Sequence, residues 1–465
     1  MNHDMIEKKP LSAILRFMLP ILLGNLFQQL YNMSDAVIVG HFLGEGALAA
    51  VGVSNPIMST VVFFIFGSCV GMSVLMAQLY GADDEKAFKA EASTALISGL
   101  VFAVILSVVC FIFCPHFLRW TETPADVLPG ADQYLKTIFT GLVFSFLYNY
   151  YASALRAIGD SKTPFRFLVF ASLLNIVLDV LFVGVFSFGV VGAAAATVIA
   201  QAVSSILCII YVYRKIPMLA IRKSELTFSF GMLKMTLSYS WASAVQQTFV
   251  YMGRLLVQST INPFGASVIA AYNGATRVEA LFFAVFESVA TSYSTYCAQN
   301  VGAGRRDRLK EGFVVSEGFG ICFWLVTAVA FVLFSPQIMS IFISGEGKAE
   351  VMRIGAEYLR PASVFYILVA TTGMFQALFR GVGRLTIVMI ASALQIIIRI
   401  SLVGGMVDRF GVAGAAYSQS IGWTVMLIYE IVFFIYFWRK GNLIPKTAHE
   451  KLEESGDIGR EPAES

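Results

Sequence analysis

Pro20-Ile-Leu-Leu-Gly-Asn-Leu-Phe-Gln-Gln-Leu-Tyr-Asn-Met-Ser-Asp-Ala-Val-Ile-Val-Gly40 is an apolar run of membrane-crossing length with a proline at its start and a carboxylate near its end. At 3.6 residues per turn, Gln28, Asn32 and Asp35 fall at i, i+4 and i+7 and make one polar stripe on an otherwise apolar rod. A charged side chain at a membrane-helix centre costs about 2.5–3.5 kcal/mol even on the lenient insertion scale, so such groups face a bundle interior or a water-filled path. The stripe therefore points inward, and Asp35 is the first candidate functional residue. The competing reading leaves Asp35 in the headgroup region, bonded to water.

Working outward, 57% of the 465 residues are apolar and only 14% charged, which excludes a soluble globular chain. Twelve apolar stretches, from residues 15–40 to residues 411–437, are long enough to cross roughly 30 Å of hydrocarbon. They are too long for barrel strands and show no period-two alternation, so they read as helices and the class is an all-α integral membrane protein. Basic residues collect in alternate connections: Lys86 and Lys89; Arg156, Lys162 and Arg166; Arg214 and Lys215; Arg305, Arg306 and Arg308; Arg380 and Arg384; Arg439 and Lys440. The opposite connections are short and nearly uncharged, which puts both termini in the cytoplasm and the protein in the cell membrane. A net charge of +3 gives no reason to expect a nucleic-acid partner. The six cysteines lie singly or paired in apolar runs without metal or disulfide spacing. With no phosphate-binding loop and no nucleophile motif, the chain reads as neither an enzyme nor an ATP-driven pump, and no cofactor is expected.

The sequence also repeats. Ala77-Gln-Leu-Tyr-Gly-Ala82 matches Ala298-Gln-Asn-Val-Gly-Ala303, Arg156-Ala-Ile-Gly159 matches Arg380-Gly-Val-Gly383, and Phe188-Gly-Val-Val-Gly-Ala-Ala194 matches Phe410-Gly-Val-Ala-Gly-Ala-Ala416. Three matches in one order, all about 220 residues apart, make a six-plus-six duplication. The expected organisation is a cytoplasmic lead-in over 1–10, an N-terminal six-helix lobe over 11–213, a linker over 214–228, a C-terminal six-helix lobe over 229–440 and a disordered tail over 441–465. Halves with an even number of spans insert in the same sense, so an axis along the membrane normal relates them, and transporters of that design rock around a central substrate site.

Asn175 and Asp179 form an i, i+4 pair on the fifth span, and Thr197 stands in the small-residue run Gly192 to Ala200 of the sixth. Together with Asp35 they offer only oxygen-bearing side chains. Clustered, they hold either a proton shared by two carboxyl groups or a small hard cation; kept apart, they make separate interhelical hydrogen bonds worth about 0.6–2 kcal/mol each.

From about Leu11 to Lys440 these features resemble the multidrug and toxic compound extrusion (MATE) transporters. The resemblance rests on Pro20 with Asp35, the repeated Ala-Gln-x-x-Gly-Ala run, Arg156-Ala-Ile-Gly-Asp160, Asn175 with Asp179, and Arg277-x-Glu279. It implies two pseudo-symmetric six-helix lobes, twelve spans in all, around a central cavity. It also implies antiport of organic cations or amphipathic drugs against H⁺ or Na⁺, by a protein working as a monomer in the bilayer. In the family's terms Asp35, Asn175, Asp179 and Thr197 form the cation-coupling site and Pro20 is a hinge. The cavity would be lined by Gln28 and Asn32, by Gln247 and Tyr251 of the seventh span, and by Glu279 and Arg399. An alternative within the wider superfamily, a flippase or exporter of a lipid-linked or anionic compound, is kept open by Arg254 and Arg399.

Laid together without gaps span by span, the first and seventh spans pair Asp35 with Arg254, the fifth and eleventh pair Asn175 with Gln395 and Asp179 with Arg399, and the Gly-Ala-Ala motif pairs Thr197 with Gln419. The polar positions persist while their charge inverts, so ion coupling is expected in the N-terminal half alone. Arg254, Arg277, Glu279, Glu287, Arg399 and Glu430 are expected to pair among themselves, and the many aromatics to be mostly lipid-facing.

Overall fold

The computed structural model describes residues 3–222, 225–342, 348–447, 449, 450 and 454; the side chains of Asn32, Ala36 and Phe342 lie outside that description. Most of the expected tail, part of the linker and the connection around Ser344 therefore fall outside it. Every regular element among the described residues is a helix: α1 Asp4–Glu7, α2 Pro10–Gly81, α3 Glu85–Trp120, α4 Leu128–Thr140, α5 Leu142–Ala157, α6 Lys162–Asp179, α7 Gly189–Lys215, α8 Phe230–Ile261, α9 Ala266–Gly302, α10 Asp307–Phe342, α11 Lys348–Gly381, α12 Leu385–Phe410 and α13 Ala413–Arg439. Backbone groups in lipid must be paired within their own segment, and runs this apolar have no other way to satisfy that.

The long run of α2 is two helices interrupted at Gly44, whose φ of 77° and ψ of −170° break the helical path. Ten helical segments are long and apolar enough to cross a bilayer among the described residues, and α4 with α5, bent by 47°, makes an eleventh. At 32 residues, α8 has the length of the twelfth; Lys234, Gln246, Gln247 and Arg254 dilute its apolar character. In α10 the helix departs from regularity at Phe334, two residues before Pro336.

Two compact units emerge: Leu19–Thr248 in one, His3–Met18 with Phe249–Thr447 in the other. Within the first, α7 packs on α4, α5 and α6, and α3 packs on α4 and α5. The second half of α2 closes onto α8 in the same unit, since a Cβ on Gly71 would lie 2.4 Å from Tyr239 O and one on Gly67 would lie 2.7 Å from Ala244 Cα. Thr236 on α8 donates to the buried carboxylate of Glu91 at 2.7 Å, and Lys89 pairs with Glu225 at 2.9 Å, fixing the start of α8 and the segment before it against α3. Within the second unit, α11 packs on α9, α10 and α13, and α12 packs on α13. The amino-terminal residues belong to this unit: Asn300 donates to Met5 O at 3.0 Å, and Arg308 donates to Lys8 O.

The backbone carries the same repeat as the sequence. Gly159 and Gly383 turn to φ 89° and 86°, each after a helix closed by the same pair of bonds. Gly159 N bonds Arg156 O at 3.0 Å and Asp160 N bonds Leu155 O at 2.9 Å; Gly383 N bonds Arg380 O at 3.0 Å and Arg384 N bonds Phe379 O at 2.7 Å. These are glycine-terminated helix ends in which only a residue lacking Cβ takes the left-handed position cheaply. Positive φ likewise recurs at Gly44 and Gly265, and at Gly189 and Gly411. One difference interrupts the correspondence: directly after Asp179 the chain runs as a π-helix, Val180–Val185, whereas α12 stays α-helical to Phe410.

Candidate ion-coupling site

The first half of α2 and α6 run alongside each other within one unit. A Cβ on Gly24 would touch Leu168 Cδ2 at 3.4 Å, and one on Gly184 would touch Phe42 at 3.1 Å, so positions advance together along both helices. That register brings Asp35 level with Asp179, and their carboxyl groups lie within hydrogen-bonding reach of each other. Asp179 is wholly buried and Asp35 partly so. Apart from that contact, Oδ1 of each is buried without a hydrogen-bond partner.

Asn175, one turn before Asp179 and also buried, connects the pair to α7. A carboxylate only accepts, so its neighbour must present N–H. With the amide nitrogen turned to Asp179 Oδ2 at 2.7 Å, the amide oxygen accepts from Thr197 N at 3.0 Å, and both partners are satisfied. Tyr31, one turn before Asp35, places its hydroxyl 3.4 Å from Thr197 Oγ1. Tyr134 of α4, 3% exposed, lies within electrostatic range of both aspartates and of Tyr31. All four coupling-site residues expected from the sequence thus stand together, and two tyrosines join them. Tyr31 is recoverable from its i−4 spacing to Asp35; Tyr134 leaves no trace in the sequence.

The expected cavity residues divide between the units. Gln28 and Gln247 are half-buried in the first, Tyr251, Glu279 and Arg399 belong to the second, and the side chain of Asn32 lies outside the described residues. Glu279 is 5% exposed and accepts through Oε1 from Tyr366 at 2.7 Å and Tyr358 at 3.0 Å; Tyr358 also lies 3.3 Å from Gln419 Oε1. Arg399 donates to Tyr272 OH at 3.2 Å. Contrary to expectation, no ion pair joins Arg254, Arg277, Glu279, Glu287, Arg399 and Glu430 among the described residues. At Glu279 and Arg399, tyrosine hydroxyls take the place that opposite charges were expected to fill. Some of the aromatics are interior: Phe282 packs 4.9 Å from Tyr366 and 5.1 Å from Phe323, in a buried cluster beside Glu279.

The MatE family model matches the chain twice, over residues 20–181 and again over 242–404, so one description fits both halves. A Bacillus subtilis protein named "Probable multidrug resistance protein YpnP" is 29% identical over 397 residues, covering 84% of this chain and 87% of that protein. The FAD transporter of Shewanella oneidensis is 23% identical over 349 residues, covering 73% of this chain and 76% of its own length. Among solved structures, a MOP superfamily transporter from Pyrococcus furiosus, described as having a binding pocket of reverse polarity, superposes with a TM-score of 0.86 at 23% identity over 96% of this chain and 98% of that one.

Proposed function

This chain belongs to the MatE family, whose members are multi-pass membrane transporters and not enzymes, and from that premise we propose that it is a secondary antiporter exporting amphipathic organic compounds in exchange for H⁺ or Na⁺. The observation that carries the reading is the buried meeting of Asp35 and Asp179 inside helices of membrane-crossing length. Two carboxylates have no donor between them, so their direct contact requires a proton or a cation. Asn175 and Thr197 add an amide and a hydroxyl, a donor set equally suited to Na⁺.

Coupling follows from electrostatics. Two unit charges 4 Å apart interact by about 4 kcal/mol at an effective dielectric near 20. Swinging a two-state equilibrium from 1:99 to 99:1 takes about 5.5 kcal/mol. Gain or loss of one proton at the pair is therefore of the size needed to bias the alternation of two lobes between inward-open and outward-open states. The transporter works in the cell membrane as a monomer with both termini cytoplasmic, and the ion gradient is its only energy source. The test is efflux from proteoliposomes with pH and Na⁺ gradients imposed independently. Wild-type export should follow at least one gradient; export indifferent to both would sink the antiport reading.

A further inference from the structure

The C-terminal unit repeats the helix pairing of the ion site with opposite charge. α8 and α12 run alongside each other as α2 and α6 do: a Cβ on Gly253 would lie 2.8 Å from Ile396 Cγ2, and one on Gly404 would lie 3.7 Å from Thr260 Cγ2. Arg254 follows Gly253 by one residue and Arg399 follows Ile396 by three, so the two residues stand at the level along α8 and α12 that Asp35 and Asp179 occupy along α2 and α6. They lie within electrostatic range of each other. Each unit also places a buried tyrosine nearby: Tyr358 donates to Gln419 here, and Tyr134 lies within electrostatic range of both aspartates in the other.

Among the described residues of the unit, none forms an ion pair with either arginine. Arg399 reaches only a phenol, Tyr272 OH, and its Nε is buried without a partner. Arg254 is exposed. Glu279 lies within electrostatic range of both arginines and Glu287 of Arg254, but neither carboxylate bonds them: the Oε1 of Glu279 accepts from Tyr358 and Tyr366, and Glu287 is exposed, so one buried carboxylate faces two guanidiniums. Guanidinium is always charged and presents a planar fork of donors matched to carboxylate or phosphate. Two of them within electrostatic range of each other on helices of membrane-crossing length are costly unless anionic charge balances them.

We propose that Arg254 and Arg399 form an anion-recognition site in the C-terminal unit, and that the compounds this transporter exports carry a carboxylate or phosphate group on an amphipathic body. The inference rests on the antiport reading and narrows its substrate class: the N-terminal unit takes the cation, the C-terminal unit the anionic group of the cargo.

Two dyes with one aromatic core and opposite charge test it: fluorescein, an aromatic carboxylate, and rhodamine 123, a cation. Their affinities for the purified protein in neutral maltoside detergent are measured by fluorescence anisotropy. Wild type should bind fluorescein the more tightly. R254Q/R399Q should lower the ratio of fluorescein to rhodamine affinity by about tenfold or more, the scale of losing charge-assisted bonds. R254K/R399K, which keeps the charges without the forks, should fall between. Because a general packing defect weakens both dyes together, the ratio separates recognition from damage, and the single R399Q variant carries the test if the double variant fails to fold. A ratio unchanged in the variants, or a wild type that prefers rhodamine 123, overturns the proposal. Displacement of fluorescein by phosphatidylglycerol at equal or lower concentration also overturns it, assigning the pair to a lipid headgroup. An unmoved ratio beside intact ion-driven export removes this inference alone, whereas export indifferent to both gradients removes the antiport reading itself.

Discussion

Replacing one carboxyl oxygen by an amide nitrogen at Asp35 or Asp179 leaves the shape of the pair and supplies the missing N–H, but removes the group that binds and releases an ion. Asp35→Asn and Asp179→Asn should each fold, elute as wild type and lose gradient-driven export. Gln395→Ala and Gln419→Ala, at the matching positions of the other unit, should keep their dependence on the ion gradient, whatever happens to rate. Export by Asp35→Asn with unchanged ion dependence, or an uncoupled Gln395→Ala, would end the assignment to the N-terminal half. Packing makes a separate prediction at Gly71, where a Cβ would stand 2.4 Å from Tyr239 O, a backbone atom that cannot turn aside. Gly71→Ala should destabilise by about 1–3 kcal/mol, the range for overpacked sites. A thermal midpoint equal to wild type in detergent would contradict that close approach. Much of the site was legible at this scale because Asp35, Asn175, Asp179 and Thr197 are conspicuous in apolar helices. Tyr134 was not, since tyrosine is common in membrane helices and at their interfaces, so its presence marks no position.

Pro20 lies inside α2, and the run keeps helical geometry through it, the only departure being at Gly44. Proline removes a backbone donor and sets its ring against the preceding turn, so this stretch is weakened without being broken. It also sits beside the division at Met18 and Leu19, where the helix leaves one compact unit for the other. We infer a hinge, used during transport and dispensable for folding. Pro20→Ala should therefore express and melt like wild type while exporting several-fold more slowly; full transport rates in proteoliposomes would remove the hinge. Sequence patterning located the helices themselves, because an apolar run of membrane length can satisfy its backbone in lipid only by coiling into a spanning helix. It did not reveal the π-helical turn after Asp179 or the bend at Gly141. Both are choices of backbone hydrogen bonding among residues whose composition suits an uninterrupted α-helix. Nor did it show that the helices α2 and α8 are shared between units, since apolarity marks a span without saying which neighbours it packs on.

For the molecule as a whole, the duplicated turns fix a topology that can be checked directly. Counting α4 with α5 as one span, successive helices return the chain alternately to two sides. Gly44, Gly189, Gly265 and Gly411 then belong to one set of connections, and Asp83, Gly159, Gly304 and Gly383 to the other. Each glycine of the first half has its partner in the same set, as two copies inserted in one sense require. The second set stands beside Lys86 and Lys89, Arg156 and Lys162, Arg305 and Arg306, and Arg380 and Arg384; the first set has no comparable basic run, Arg409 being its main cation. Cytoplasmic retention of lysine and arginine in short connections predicts the second set inside, together with both termini. Reporter fusions after Gly44 and Gly189 should accordingly report outside, as should one after Ser344, which lies outside the described residues, and a fusion after Gly159 should report inside. The outcome is sensitive to the reading of α8, whose apolar character falls short of that of the other spans' best stretches. Were α8 not a span, every connection after it would change side, and Gly265 and Gly411 would report inside while Gly44 and Gly189 still reported outside. A firm cytoplasmic signal at Gly44 or Gly189 would break the twelve-span arrangement in the first half, and one at Gly411 alone would break the parallel duplication and with it the placement of Arg254 and Arg399 as counterparts of the two aspartates.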